Sequence, residues 1–281
     1  MSQKSYDGKN SLYLIPTPIG NLDDMTLRAI NTLKKVDVLF CEDTRITGML
    51  LSKLQIKKKL ISCNNINEEI VRSKVIECLK NGQEVGLVTD RGTPIISDPG
   101  YKTVQAVIAN GYNVIGLPGP TALVPALITS GIEPSPFLFY GFLNSKASKM
   151  EKELETLKEL KYTLIFYESP HRIISMLETL KKVFGDRHIS LNREISKLYE
   201  EIYRGTITEV LDELGTDIKG EFVIIVEGNK NVINYNDVDV RKHVMSYINL
   251  GYNEKEAMKL VARDRKVSKS DIYKEFHMGD D

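Results

Sequence analysis

Strand-like and helix-like segments alternate along most of the chain, and this alternation restricts the possible folds more than any other feature. Short apolar runs at residues 11–15, 38–41, 85–88 and 113–116 predict buried strands. Apolar side chains at helical spacing follow such runs, as at residues 101–110. Strands that alternate with helices are typical of a mostly parallel sheet with helices on its faces. We therefore predict an α/β fold.

The length of the chain, 281 residues, predicts two domains and a small additional module. The polar stretch LNSKASKM follows the apolar run at residues 137–142, and we place the first domain boundary there. Residues 232–237 are predicted to be a linker. The predicted division is an N-terminal α/β domain at 1–142, a second α/β domain at 143–231 and a basic helical module at 232–281.

The C-terminal module carries three short helical patterns, at residues 238–249, 254–262 and 268–276. Between residues 241 and 274 there are nine Lys or Arg and four Asp or Glu, an excess of five positive charges. The net charge of the whole chain is zero, so a nucleic-acid surface must be local. On charge alone, a phosphate-binding surface and an ordinary solvated surface are equally good interpretations of this helix-turn-helix-like module.

One uncharged segment, residues 103–132, is long enough to be compared with a membrane span. Glycines and prolines interrupt it, so we predict a buried helix, strand, loop and helix instead. Residues 1–10 are polar and lack the apolar core of a signal peptide. The three cysteines are sparse and have no histidines at zinc spacing, which predicts neither disulfides nor a metal site. We expect a cytoplasmic protein that is not in a membrane.

Three loops rich in glycine and proline come directly after predicted strands, at residues 16–21, 89–94 (extended by 97–100) and 117–122. Ligands of open α/β sheets bind at the carboxyl ends of the strands. Glycine allows the backbone to approach a ligand closely, and proline fixes the loop. Each loop taken alone is more simply a tight turn. Three of them at equivalent strand ends favour one shared ligand crevice.

Several common site motifs do not occur in this sequence. It contains no G-x-x-x-x-G-K-[ST] and no G-x-G-x-x-G, which argues against a P-loop nucleotide or a dinucleotide. It also contains no H-E-x-x-H and no G-x-S-x-G. Residue patterns alone therefore indicate only an α/β protein that binds a small molecule.

Longer segments carry a resemblance to a known family. The sequences LYLIPTPIGNLDDMTLRA, CEDTR, VTDRGTPIISDPG, LPGPTA, YGFL, IFYESPHR, REISKLYEE and GEFVIIVEG occur in this order. Together they resemble the small-subunit ribosomal RNA cytidine 2′-O-ribose methyltransferase family, in the tetrapyrrole methylase superfamily. The resemblance covers residues 12–228, and the basic tail is similar to the C-terminal extension of that family. The segments PTPIGNL and ESPHR favour the RNA-modifying branch over the porphyrinoid branch.

The resemblance implies a two-domain fold with S-adenosylmethionine in the cleft between the domains, in a homodimer. It also implies a partner, either small-subunit ribosomal RNA or the assembled small subunit. The residues that match the cofactor-contacting motifs are Pro18, Gly20, Asp90, Gly92, Thr93, Pro94, Ser97, Thr121, Ala122, Phe166 and Tyr167. One departure is Arg91, which stands where the family has a small residue. We expect this long cation to change the contacts of its loop or to point towards RNA phosphate.

Methyl transfer to a ribose oxygen requires alignment of the reacting atoms and removal of the hydroxyl proton. We predict that Glu168, His171 and Arg172 form the main active-site cluster, and Asp43 and Glu194 are further catalytic candidates. Glu42 and Asp90 are other acids in matching motifs, and Asp90 has a second interpretation as a cofactor contact.

These assignments have structural alternatives. Glu42, Asp43 and Arg45 can equally form only an ion pair at the start of a helix. His171 is somewhat better explained as a structural or phosphate-binding residue than as a base. Arg172 and Arg193 have the geometry to clamp a phosphate or a carboxylate.

The predicted RNA contacts are basic side chains of the C-terminal module: Arg241, Lys242, Lys259, Arg263, Arg265, Lys266 and Lys269. Two other functions stay open at this point. The first is a methylase that acts on a porphyrin-like macrocycle and needs no basic tail. The second is an RNA-binding ribosome-assembly factor that has lost catalysis.

Overall fold

The computed structural model describes residues 3–5, 7–63, 68–215, 218–230, 235, 238–265 and 267–277. The chain divides into two compact units, Met1–Gly228 and Asn229–Asp281. The larger unit contains two β-sheets of five strands each.

The first sheet is wholly parallel, as the alternation of strands and helices predicts. Its elements are β1 (Ser11–Leu14), α1 (Leu27–Lys35), β2 (Val38–Cys41), α2 (Thr44–Lys53), β3 (Lys59–Ser62), α3 (Glu68–Lys80), β4 (Val85–Val88), α4 (Tyr101–Ala109), β5 (Asn113–Gly116) and α5 (Leu123–Thr129). The strand order is β3-β2-β4-β1-β5. Every residue of β2 and of β4 is buried, as expected for central strands with helices on both faces.

Two apolar cores cover the two faces of this sheet. Successive side chains of a strand point to opposite faces. Leu39 accordingly packs in one core with Leu33 of α1, and the next residue, Phe40, packs in the other core with Val75 of α3. Burial on both faces therefore holds the strand ends, and the loops that follow them, in fixed positions.

The second sheet is mixed rather than mainly parallel. Its elements are β6 (Phe137–Phe142), α6 (Ala147–Leu157), β7 (Thr163–Glu168), α7 (Ile173–Phe184), β8 (His188–Arg193), β9 (Glu201–Thr206), α8 (Ile207–Glu213) and β10 (Phe222–Val226). The order is β6-β7-β10-β8-β9, and only β6 and β7 pair in parallel. Strand β9 is not predicted by the sequence, because it is an edge strand with polar, partly exposed residues. Thr206 and Glu209 form the predicted capping box of α8.

The connection between the two sheets lies before β6. The apolar run Phe137–Phe142, which the sequence-based division assigns to the N-terminal domain, is hydrogen-bonded to β7 in the second sheet. The polar stretch after it is the loop between β6 and α6. Helix α5 packs against the second sheet, where Ala126 and Leu127 share a core with Ile165. The domain limits at 142 and 231 stay predictions.

The described part of the smaller unit contains the three predicted helices, α9 (Val240–Asn249), α10 (Glu254–Arg265) and α11 (Lys269–His277). Their shared core contains Val244, Val261 and Ile272. Most of the predicted linker at 232–237 lies outside the described residues.

The uncharged segment at 103–132 forms α4, β5 and α5, as predicted. Among the described residues, no helix has the length and apolar character needed to cross a membrane. The same residues contain no group of three or more His, Cys, Asp or Glu side chains placed to hold a metal ion. All three cysteines, which lie in the described part of the chain, are free thiols.

Candidate functional site

The three Gly/Pro loops meet at the carboxyl ends of the first sheet. The backbone N–H of Thr17 donates to the carbonyl oxygen of Gly92 at 2.9 Å, and the N–H of Gly92 donates back to Thr17 at 3.0 Å. The hydroxyl of Thr93 donates to the carbonyl oxygen of Pro120 at 3.0 Å. The middle loop is thus bonded to both of the others, and the predicted convergence is confirmed.

Glycine is required at two points of this junction. A Cβ atom on Gly119 would lie 2.6 Å from the Cβ of Pro16, closer than side-chain atoms pack. Gly92 has a φ of +82°, in the left-handed region that other residues rarely adopt. The loops can therefore pack this closely only because these positions have no side chain.

A cavity of about 590 Å³ lies between these loops and the second sheet, a volume typical of small-molecule sites. Seven of the residues predicted to contact the cofactor line it: Asp90, Gly92, Thr93, Ser97, Thr121, Ala122 and Tyr167. The predicted catalytic residue Glu168 lines it as well.

Four other predicted cofactor residues are absent from the described lining: Pro18, Gly20, Pro94 and Phe166. Phe166 is fully buried in the apolar core on the opposite face of β7 from Tyr167, because adjacent strand residues point in opposite directions. Gly20 lies directly beneath the side chain of Lys197, which a Cβ atom on Gly20 would displace.

Three carboxylates, Glu42, Asp90 and Asp98, form what we call the acidic wall of the cavity. The hydroxyl of Thr89 donates to Oε2 of Glu42 at 3.0 Å, and the backbone N–H of Asp43 donates to Oδ1 of Asp90 at 3.0 Å. Burial raises the pKa of Asp98 to about 6, and the negative charges of Glu42 and Asp90 add to the effect. Burial also raises the pKa of Asp90.

Glu168 stands at the end of β7 with 1% of its side chain exposed. The backbone N–H of Ser169 donates to Oε1 at 2.7 Å, and Nη2 of Arg172 lies 3.0 Å from Oε2. Nη2 of Arg172 also donates to the carbonyl oxygens of Leu143 and Asn144, at 3.0 and 3.1 Å. Arg172 is outside the described lining of the cavity.

Two other predicted catalytic residues, His171 and Asp43, do not belong to the described lining of the cavity. His171 is exposed. Asp43 caps helix α2 and pairs with Arg45 at 2.6 Å, and hydrogen bonds from Arg45 lower the pKa of Asp43 to about 2. This geometry matches the alternative interpretation of Asp43 as an ion pair at a helix start.

A second group of charged residues in the lining, Arg91, Lys197 and Glu221, forms a network with Glu194. Nζ of Lys197 lies 2.7 Å from Oε1 of Glu194 and 2.8 Å from Oε2 of Glu221. Burial raises the pKa of Glu194, but hydrogen bonds from Lys197 and from the backbone of Glu221 outweigh it, and the net change is a lowering. Arg91 forms an ion pair with Glu221, so the unusual cation of the middle loop bonds to the start of β10.

The basic residues of the C-terminal module fall into two groups. Nε of Arg241 donates to the carbonyl oxygen of Phe276 at 2.9 Å, and Arg265 donates to Nδ1 of His243 at 3.3 Å and to the carbonyl of Val238. These two arginines therefore form hydrogen bonds between different helices of the module. The exposed members of the predicted set are Lys242, Lys259, Arg263 and Lys269. Lys266 lies outside the described residues.

Sequence reasoning did not single out Asp98, Lys197 or Glu221 as site residues. Asp98 belongs to the extended middle loop, where the motif resemblance implies a contact only for its neighbour Ser97. Lys197 and Glu221 lie in the family-like segments REISKLYEE and GEFVIIVEG. Their position in these segments is the only feature of the sequence that indicates a role in the site. Their contacts with the first sheet come from tertiary structure, which local patterns do not encode.

Comparisons with known proteins agree with this architecture. The family model of Tetrapyrrole (Corrin/Porphyrin) Methylases matches residues 11–211. The chain is 46% identical to ribosomal RNA small subunit methyltransferase I of Bacillus subtilis (strain 168), over 98% of each chain. It is 45% identical to the protein of that name from Halalkalibacterium halodurans, over 98% of this chain and 99% of the relative.

Among solved structures, uroporphyrin-III-C-methyltransferase from Thermus thermophilus superposes with a TM-score of 0.57 at 20% identity. The match covers 78% of this chain and 94% of that one, and it shows a shared fold. With 46% identity along nearly the whole length of a relative, the chain belongs to the ribosomal RNA small subunit methyltransferase I family of the tetrapyrrole (corrin/porphyrin) methylases.

Proposed function

We propose that the protein transfers a methyl group from S-adenosylmethionine to the ribose 2′-oxygen of a cytidine in small-subunit ribosomal RNA. The observation that carries this proposal is the cavity of about 590 Å³ beside the junction of the three loops, where glycine is required at Gly92 and Gly119, in a chain of this methyltransferase family. The relatives' name supplies the reaction class and the RNA. The 2′-oxygen and the cytidine rest on the motif resemblance.

The residues around the cavity fit the methyl donor. Gly92 lines the cavity without a side chain, so a ligand can approach its backbone closely, and Tyr167 provides an aromatic surface. The acidic wall has the charge that complements a cation. When bound, the donor supplies a methyl group activated by a positively charged sulfur. These residues are the proposed contacts, together with Thr93, Ser97, Thr121 and Ala122 of the same lining.

Glu168 is the proposed acceptor of the hydroxyl proton. Glu168 belongs to the lining of the cavity, and its buried Oε2 atom accepts no hydrogen bond from the described residues, which leaves a lone pair that a substrate hydroxyl could use. Ser169 and Arg172 hold the carboxylate in one orientation. We assign Asp43 and Glu194 structural roles, because neither belongs to the described lining of the cavity and each is paired with a neighbouring cation. Exposed His171 is assigned a contact with RNA phosphate.

RNA binding is assigned to the exposed cations of the C-terminal module, Lys242, Lys259, Arg263 and Lys269, and Lys266 stays a predicted member of this group. The substrate is ribosomal RNA or the assembled small subunit. A ribosomal substrate also favours a cytoplasmic location, and the motif resemblance favours a homodimer.

The role of Glu168 is tested with the Glu168→Gln variant, which keeps the shape of the side chain and removes its charge. We expect methyl transfer to small ribosomal subunits to fall about 100-fold or more, while donor affinity changes less than about threefold. Glu213→Gln, an exposed substitution on α8, is the matched control and should retain full activity. Activity of Glu168→Gln close to wild type would exclude Glu168 as the base.

A further inference from the structure

The cavity has more negative than positive side chains in its described lining. The acids are Glu42, Asp90, Asp98, Glu168 and Glu221, and the cations are Arg91 and Lys197. Both cations are already paired with Glu221, and Lys197 is also paired with Glu194. The charge of both cations is therefore largely neutralised by these acids.

No described ion pair involves the acidic wall, and the nearby cation Arg45, which acts on Asp90 through its charge, is paired with Asp43. The described hydrogen-bond donors to the acidic wall are neutral, namely the Thr89 hydroxyl and the backbone N–H of Asp43. Arg91 is near enough to favour the charged form of Asp90, but its ion pair is with Glu221. Uncompensated carboxylates in a partly buried cavity stabilise a cation much more than they would in water.

A buried carboxylate oxygen without a hydrogen-bond donor is a second feature of the cavity that indicates a bound ligand. Glu168 belongs to the lining of the cavity, and its buried Oε2 atom accepts no hydrogen bond from the described residues. The guanidinium of Arg172 is 3.0 Å away, but its Nη2 donates to two backbone carbonyls. Buried polar atoms usually have a hydrogen-bond partner, so a polar or cationic ligand group is expected there.

We propose that the acidic wall makes this cavity discriminate between the cationic methyl donor and the neutral thioether formed by transfer, and that Asp98 is the main specificity-determining residue. The proposal rests on the donor site of the proposed function. In the reaction the bond between methyl carbon and sulfur breaks, and its electron pair stays on sulfur. A bond forms between the methyl carbon and the ribose oxygen, and the hydroxyl proton passes to a carboxylate.

The charge change makes the discrimination possible. The sulfur is positive before transfer and neutral afterwards, while the adenosine, amino and carboxylate groups of the ligand do not change. The electrostatic attraction between the acidic wall and sulfur is therefore lost when the methyl group is transferred. The cavity then binds the by-product more weakly than it binds the donor. Burial and the neighbouring acids place the pKa of Asp98 at about 6, so Asp98 is ionised at neutral pH and above.

The test compares three ligands by calorimetry with the purified full-length protein at about pH 8, where carboxylates are ionised. The ligands are S-adenosylmethionine, the neutral by-product S-adenosylhomocysteine, and sinefungin, which carries an ammonium-bearing carbon in place of the sulfonium. For Asp98→Asn we expect donor and sinefungin affinity to fall about tenfold and by-product affinity to change less than about twofold. Asp212→Asn, an exposed substitution on α8, is the matched control and should change none of them.

Equal losses for all three ligands would overturn the proposal, because the acidic wall would then contact a group that donor and by-product share. Unchanged affinities would overturn it as well. Glu42→Gln should shift the same ratio in the same direction and replaces Asp98→Asn if that variant does not fold. Failure of the wild-type protein to bind any of the three ligands would instead contradict the proposed function itself.

Discussion

The Glu168 carboxylate lies 3.0 Å from the guanidinium of Arg172, four residues further along the chain, and 1% of the Glu168 side chain is exposed. The same guanidinium binds the backbone carbonyls of Leu143 and Asn144. One cation thus joins the end of β7 to the loop between β6 and α6. This arrangement holds a buried carboxylate in a fixed position beside the cavity.

Removal of the cation should destabilise the fold. Arg172→Ala leaves Glu168 buried without its charge partner, and we expect the free energy of unfolding to fall by about 3 kcal/mol. Chemical denaturation monitored by circular dichroism measures this change. The double variant Glu168→Gln, Arg172→Ala should recover part of the loss, because it removes the buried charge. A loss below about 0.5 kcal/mol for Arg172→Ala would contradict a structural role for this pair.

The junction of the loops should not tolerate a methyl group at Gly119. An added Cβ atom would lie 2.6 Å from Pro16, so we expect Gly119→Ala to lower the free energy of unfolding by about 1–3 kcal/mol and to weaken donor binding. Gly116 has open space around its Cβ position and is the control. Gly116→Ala should stay within about 0.5 kcal/mol of wild type. Equal effects at the two positions would argue against close packing of the loops.

Asp98 should destabilise the fold when it is ionised. Its folded-state pKa, about 6, lies above the usual value of 3.8, so the folded protein retains the Asp98 proton to higher pH than the unfolded chain does. The contribution of Asp98 to stability therefore decreases as pH rises between about 4 and 6, and the cost is fully present above that window.

For this reason Asp98→Asn should raise the free energy of unfolding at about pH 8 by about 1–2 kcal/mol, a range that allows for partial solvent screening. At about pH 4 the difference should nearly vanish. Urea denaturation without ligand at both values measures the change. A variant that is less stable than wild type at about pH 8 would contradict the raised pKa.

The exposed cations of the C-terminal module should determine how strongly RNA binding depends on salt. The double variant Lys242→Ala, Lys259→Ala should bind RNA more weakly at low salt. The slope of log affinity against log salt should also become shallower, by about 0.7–0.9 for each lost phosphate contact. The control pair Lys149→Ala, Lys152→Ala removes the same charge from exposed positions on α6. Equal slopes for the two double variants would contradict RNA contact by α9 and α10.

Truncation gives a coarser test of the same module. Deletion of residues 237–281 should weaken RNA binding and leave donor binding within about threefold of wild type, because the described cavity lining lies wholly in the larger unit. Unchanged RNA affinity after the deletion would argue that the RNA surface lies elsewhere in the chain.

Features set by local sequence were predictable. The apolar runs of β4 and β5 gave strands with the observed bounds, and the glycines and prolines after three strands indicated one crevice. Features that depend on tertiary contacts were not predictable from the sequence. The polar edge strand β9 lacks an apolar pattern because most of its residues are partly exposed.

The same limit applies to the site. Phe166 and Tyr167 are adjacent in one motif, yet only Tyr167 lines the cavity, since the register of β7 decides which side chain faces it. Charge alone could not separate the exposed Lys242 from Arg241 and Arg265, which bond to backbone and side-chain atoms within the module.

The most direct test of the central claim is methyl transfer from labelled S-adenosylmethionine to two substrates, small ribosomal subunits that lack the modification and porphyrinoid precursors. Alkaline hydrolysis of the labelled RNA then locates the methyl group, because a ribose 2′-O-methyl group blocks cleavage at its own nucleotide. We predict label in the ribosomal RNA, recovered in an alkali-resistant dinucleotide that contains a methylated cytidine. Label in the macrocycle, label on a base, or no label in either substrate would contradict the proposed function.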